Sequence, residues 1–148
     1  MPDAALRSLP PVPVSDWMKA IPGVMRFVLH GDAQVRAAAA APWQVGFAED
    51  ACRARVQGAR ATLWLGPDEY LLLGFDEAAK EATLAALQRA LDGMPHALVD
   101  VSHRQFALEV SGPHAVDILS GACPLDLDLD EFPVNMCTRT ALAKADLL

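Results

Sequence analysis

A chain of 148 residues that is 53% hydrophobic and 21% charged has enough apolar material for one packed domain and is not an intrinsically disordered tail. A formal net charge of −7 argues against phosphate-backbone binding, since the nearest approach to a basic cluster (Arg53, Arg55, Arg60) has acidic neighbours in Glu49 and Asp50. No run approaches the roughly 20 apolar residues of a membrane helix, residues 1–13 lack the apolar core of a signal peptide, and Cys52, Cys123 and Cys137 form no C-x-x-C pair. A cytoplasmic chain with reduced thiols is the expectation, with no nucleic-acid or membrane partner.

Residues 1–15 are Pro-rich and read as an extended arm, leaving residues 16–148 as a single α+β domain. Residues 24–30 alternate, with Met25, Phe27 and Leu29 on one face and Arg26 and His30 on the other, which predicts a strand. Gly31 and Asp32 supply a turn and an N-cap. An Ala-rich helix follows over 35–41, with Pro42 as its stop. Residues 42–58 carry no clear period.

Residues 59–65 and 69–75 read as two strands joined by the tight turn Gly66-Pro67-Asp68. Asp76 is placed to cap the next helix, whose buried stripe is Leu84, Leu87, Leu91 and Met94. Gly93-Met94-Pro95 ends it. Residues 97–102 form a short strand.

In residues 104–111, Phe106, Leu108 and Val110 alternate with Gln105, Ala107 and Glu109, as in a half-buried strand. Gly112 ends it, Pro113 suits a first helical turn, and Ala115, Val116, Ile118, Leu119 and Ala122 give a helix one apolar face. Gly121 suits a left-handed C-cap. The acidic run between prolines over 124–133 is either an edge strand or an extended loop. Residues 138–148 read as a strand that ends in mid-pattern, with Leu147 and Leu148 in need of cover.

Three groupings suggest chemistry, and each has a plainer reading. Asp126, Asp128 and Asp130 imitate the start of a calcium loop, but Glu131 and Cys137 stand where the loop needs Gly and Glu. An exposed acidic face is favoured there. Asp100, Ser102 and His103 resemble parts of a hydrolytic triad. Within one strand D-x-S-H points side chains to opposite faces, so a structural role at a strand junction is favoured. Cys123 and Cys137 with His103 or His114 lack the close pairing of a structural zinc site and read as small buried apolar residues. No G-x-G-x-x-G, P-loop or nucleophile elbow is present. The residues themselves nominate no catalytic, cofactor-binding or metal-binding position.

The segments W-L-G-P-D-E-Y-L-L-L (64–73), V-D-V-S-H-R (99–104), L-E-V-S-G-P-H-A-V-D-I-L (108–119) and C-P-L-D-L (123–127) together resemble the gamma subunit family of heterotetrameric sarcosine oxidase. That family is a small relative of the folate-binding aminomethyltransferase domain. The likeness is good over 60–148 and weak over 17–59. It implies two ferredoxin-like halves of antiparallel sheet with helices packed on them, over 16–97 and 98–148, the second half incomplete.

The resemblance implies a non-catalytic accessory subunit that works with alpha, beta and delta subunits. FAD, FMN, NAD, zinc and tetrahydrofolate would belong to those partners, and none to this chain. The whole complex would oxidise sarcosine to glycine and hydrogen peroxide and pass the one-carbon unit to tetrahydrofolate. Two features depart from the wider superfamily. Lys144 to Leu148 replaces a longer segment with a catalytic Asp, so Asp146 is not given that role. The family also continues through a further strand and an aromatic helix, so an isolated chain is expected to need a partner or to form a homodimer. A derived stand-alone interaction domain and a folate-binding one-carbon transferase relative are the alternatives.

Overall fold

The computed structural model describes residues 16–148, and the arm expected over 1–15 lies outside them. In chain order the elements are β1 (Met18–Ile21), β2 (Met25–His30), α1 (Ala33–Trp43), β3 (Ala54–Gln57), β4 (Arg60–Gly66) and β5 (Glu69–Gly74). A 3₁₀ turn (Glu77–Ala79) leads into α2 (Lys80–Ala90), followed by β6 (Ala97–Asp100), β7 (Ala107–Val110), α3 (Ala115–Ser120), β8 (Thr140–Leu142) and β9 (Ala145–Leu147). The class is mixed α and β with antiparallel sheets, as expected.

Strand β2 organises the larger sheet. It pairs antiparallel with β5 on one side and β6 on the other, and the full order is β3-β4-β5-β2-β6. Alternation places Met25, Phe27 and Leu29 on the face covered by the helices, and all three are fully buried. Val35, Ala39 and Trp43 of α1, Leu87 of α2 with Leu91 just beyond it, and Tyr70 and Leu72 of β5 complete this core. Leu84 and Met94 pack at its margin, so the expected stripe of α2 faces inward.

The polar groups of Trp43 and Tyr70 in this core are satisfied. Trp43 Nε1 donates to the Ala61 carbonyl at 3.2 Å, and its ring meets Phe27 edge-on at 6.1 Å. Tyr70 donates its hydroxyl to the Ala48 carbonyl at 2.6 Å. A buried indole N–H or phenol left without an acceptor would cost about 1–3 kcal/mol.

Local signals explain the helix entry. Asp32 accepts from the backbone N–H of Gln34 and Val35 at 2.9 and 3.0 Å, the N-cap predicted from the sequence. Glycine is required at position 31, because a Cβ there would sit 2.3 Å from Cγ1 of the buried Val35. Pro42 does not stop α1. It lies within the last turn, and the helix ends at Gln44 in the left-handed region, with its N–H on the Ala40 carbonyl at 2.8 Å. A proline so near the end removes one bond without breaking the preceding turns. Asp76 makes no side-chain cap; its carbonyl instead accepts from Ala79 N at 3.2 Å in the 3₁₀ turn that starts α2. The aperiodic stretch 42–58 holds β3, and β1 falls where no period was visible.

After β6 the chain forms two separate ribbons. β1 pairs with β7, Met18 opposite Val110, and α3 follows. The strand predicted over 104–111 is only four residues long, and its apolar face is not half-buried: Phe106 is 58% and Leu108 40% exposed. Gly121 is right-handed (φ −65), not left-handed, because α3 runs on into a tighter turn with Ala122 and Cys123 N–H both on the Leu119 carbonyl. Gly112, at φ +100, is the glycine that needs its freedom. The acidic run is a loop, and the C-terminal strand is a hairpin: Thr140 pairs with Leu147 and the chain reverses at Ala143 (φ 54).

This last segment is tied to the sheet edge and to its second face. Cys137 N–H donates to the Cys52 carbonyl at 2.9 Å, and Arg139 holds Glu69 of β5 through both guanidinium ends at 2.6 and 3.3 Å.

Candidate functional site

The D-V-S-H stretch lies where β6 ends against β2. Asp100 pairs with Phe27 across the strands and so points to the helix-covered face. There Lys80 at the start of α2 reaches Asp100 Oδ2 at 3.2 Å. The other carboxylate oxygen accepts from the Ser102 backbone N–H at 2.9 Å and from its hydroxyl at 2.5 Å. Ser102 Oγ accepts in turn from the Arg26 backbone N–H at 2.9 Å.

Partial burial by itself would raise the Asp100 carboxyl. The bonds from Ser102 and Lys80 outweigh it and hold the carboxyl below the usual carboxylate range. The Asp100 hydrogen bond raises Lys80 correspondingly, against the opposing effect of burial. No imidazole stands between Ser102 and Asp100, so the trio has no triad geometry. The strand has already stopped at Asp100, and Ser102 and His103 lie in the turn beyond it. His103 makes no hydrogen bond or ion pair among the described residues; it lines a cavity of about 240 Å³ beside Ser102, Arg26 and Lys80.

Arg26 is the residue that the sequence reading missed as a site feature. It is only 5% exposed, and Nη1 donates to the carbonyls of Val24 at 3.1 Å and Ser102 at 3.4 Å. Burial pushes its guanidinium down from the ordinary arginine value. The available signal was a cation set between Met25 and Phe27 in an otherwise apolar strand.

The other nominated residues stay apart. Asp126 and Asp128 each accept the backbone N–H two residues on, at 3.0 Å, as successive Asx turns. Among the described residues no three His, Cys, Asp or Glu side chains are grouped to hold a metal ion. Cys123 and Cys137 are buried free thiols: Cys123 lies 3.9 Å from Thr140 Oγ1, and Cys137 donates weakly to the Trp64 carbonyl at 3.8 Å. Burial raises the Cys137 thiol, which disfavours the reactive thiolate. His114 is exposed beside Asp117. Arg60 is no part of a cationic face. Its guanidinium stacks on Trp43 at 5.1 Å and bonds the Pro42 and Trp43 carbonyls and Thr83, clamping α1 to α2. Asp146, in the exposed strand β9, lines a cavity of about 380 Å³ with Val28, Leu71, Arg139 and Leu148.

The second surface feature is apolar. Besides Phe106 and Leu108, Val116 and Ile118 of α3 are exposed, and no residue of α3 is buried. Among the described residues, no helix is long and apolar enough to cross a membrane.

Comparison with known proteins places these features. The family model "Sarcosine oxidase, gamma subunit family" matches residues 30–148. The chain is 43% identical over 90 residues to sarcosine oxidase subunit gamma of Corynebacterium sp. (strain U-96), covering 60% of this chain and 42% of that one. It is 36% identical over 131 residues to the subunit of the same name from Corynebacterium sp. (strain P-1), covering 88% and 59%. It thus spans about half the length of the curated relatives it matches. Among solved structures it is similar to a chain of heterotetrameric sarcosine oxidase from Corynebacterium sp. U-96 in complex with pyrrole 2-carboxylate. That match has a TM-score of 0.79 and 32% identity, covering 87% of this chain and 66% of that one. A weaker likeness to glycine cleavage system aminomethyltransferase T from Bartonella henselae (TM-score 0.51, 12% identity, 70% and 31% covered) concerns the fold alone.

The segments that carry the resemblance sit in defined places within the matched span: the β4–β5 hairpin, the Asp100–Ser102 clamp, the β7–α3 unit and the turn at Cys123. With the family model matching most of its length, the chain belongs to the sarcosine oxidase gamma subunit family.

Proposed function

We propose that this chain is the non-catalytic gamma subunit of a cytoplasmic sarcosine oxidase-like complex, docking beside alpha, beta and delta partners. In this reading the assembly oxidises sarcosine to glycine and hydrogen peroxide and transfers the one-carbon unit to tetrahydrofolate. FAD, FMN, NAD, zinc and folate are held by the partners. In this reading no step of the chemistry is routed through this chain, whose part is to dock.

The observation that carries the reading is that Phe106 and Leu108 at β7 and Val116 and Ile118 on α3 stay exposed, within the stretch matched by the family model. Apolar side chains left open on an otherwise well-packed chain mark a protein contact. The organisation that fits is one domain of two unequal halves, 16–97 and 98–148. The path β2-α1-β4-β5-α2-β6, with β3 added at the sheet edge, supports a ferredoxin-like reading of the first half, whose last strand runs on to Asp100, past the boundary at 97.

Co-expression with flavoprotein subunits of a sarcosine oxidase tests the proposal. Co-purification in fixed stoichiometry is expected, with loss of the complex in the double variant Val116→Asp, Ile118→Asp. Full oxidase activity in an assembly that never retains this chain would overturn it. A stable homodimer that ignores those partners would favour the stand-alone interaction domain instead.

A further inference from the structure

We infer that the cavity beside Arg26 is a binding site for a small monocarboxylate, with the Arg26 guanidinium as its anion clamp. An arginine stays charged at any accessible pH. Burying such a charge without an opposite charge is costly, so buried guanidinium groups are paired with anions. Arg26 is 5% exposed yet forms no ion pair with any carboxylate among the described residues. Nη1 is engaged by two backbone carbonyls, while Nε and Nη2 find no acceptor among the described residues. The nearby Asp100 is already committed to Lys80 and Ser102.

The cavity sets the ligand class. Its volume of about 240 Å³ suits a molecule of few heavy atoms. Ile21, Pro22 and Phe106 form an apolar wall, and Arg26 and His103 also line it. A planar carboxylate matches the arginine fork, and a short aliphatic tail matches the wall. Glu77 also lines the cavity and disfavours a second negative charge, which selects a monoanion over phosphate. Phe106 is shared with the proposed contact surface, but the inference rests on the Arg26 charge, which has no ionic partner among the described residues.

The test uses the full chain, with acetate and propionate as probes and chloride and phosphate as controls at matched ionic strength. Binding is read from the arginine Nε–H resonances and from the shift in melting temperature. Saturable binding of acetate with Kd on the order of millimolar is expected for so small a ligand, with propionate tighter. Arg26→Gln should weaken binding more than tenfold, on the order of the loss of a charge-assisted pair. Glu77→Gln should tighten it about two- to fivefold by removing a like charge. A purely structural Arg26 would change stability without any anion-specific response. The inference is overturned if the wild-type chain shows no saturable response to either carboxylate, if phosphate binds more tightly than acetate, or if Arg26→Gln leaves the affinity unchanged. Should Arg26→Gln fail to fold, an unaltered affinity in Glu77→Gln overturns it instead.

Discussion

Phe27 and Phe106 belong to segments with the same alternating pattern and meet opposite fates. Phe27 of β2 is fully buried, edge-on to Trp43, beneath two helices. Phe106, just before β7, is 58% exposed on a two-stranded ribbon. Around Phe27 the sheet has five strands and a covering layer; around Phe106 it has two strands and a six-residue helix that buries nothing. Alternation states which face of a strand is apolar. It does not state whether another layer lies over that face.

The sharpest way to break this contrast is paired truncation. Trp43→Ala should cost about 3–5 kcal/mol of unfolding free energy, from the cavity left in the core and the lost indole hydrogen bond. Phe106→Ala in the isolated chain should stay within about 0.5 kcal/mol, as exposed substitutions do. Urea melts of both decide the point, and a large loss for Phe106→Ala would show that the ribbon is covered.

Gly31→Ala comes next, at about 1–3 kcal/mol, because the added Cβ meets Val35, which is buried and branched and cannot move aside. Thermal melts should show the loss, and Gly46→Ala, whose added Cβ would have its nearest neighbour at 4.0 Å, is the contrasting control.

Asp100→Asn should destabilise by about 1 kcal/mol at neutral pH, since two hydrogen-bonded partners lose their anion. The sign with pH follows from the depressed carboxyl. Its stabilisation is fully present above the unfolded carboxylate value near 4 and is lost as pH falls through the lower folded value. Wild-type stability should therefore drop more steeply than that of Asp100→Asn below about pH 4. Parallel slopes would remove the clamp from the account.

The smallest effect belongs to the bidentate Arg139–Glu69 pair, which is largely open to water on the Arg139 side. Arg139→Ala should cost under about 0.5 kcal/mol and less still in high salt, as a double-mutant cycle with Glu69→Ala would show.

The features legible in the sequence were those set by neighbours along the chain. Asp32 caps α1 because its carboxylate lies within reach of the next two free N–H groups. Gly66-Pro67-Asp68 turns β4 into β5 because its backbone angles suit a tight reversal. The stripe of α2 follows from helical spacing. Strand β1 was missed because it is short and stabilised by a distant partner, β7, and β3 because it is only four residues long and mostly exposed, although its partner β4 is the next strand of a tight hairpin. The hairpin over 140–147 was read as one strand because its reversal at Ala143-Lys144 uses neither Gly nor Pro.

The site divides along the same line. The short spacing of Asp100 and Ser102 allowed a local hydrogen bond to be foreseen, and the sequence likeness named the family. Only the tertiary structure brought Arg26 against Ser102, 76 residues away in the chain, and Lys80 against Asp100. Spacing along a chain determines local turns, caps and the apolar side of each element. Which of those sides finds cover, and which charge is buried, depends on contacts between segments far apart in sequence, and these are decided when the layers pack.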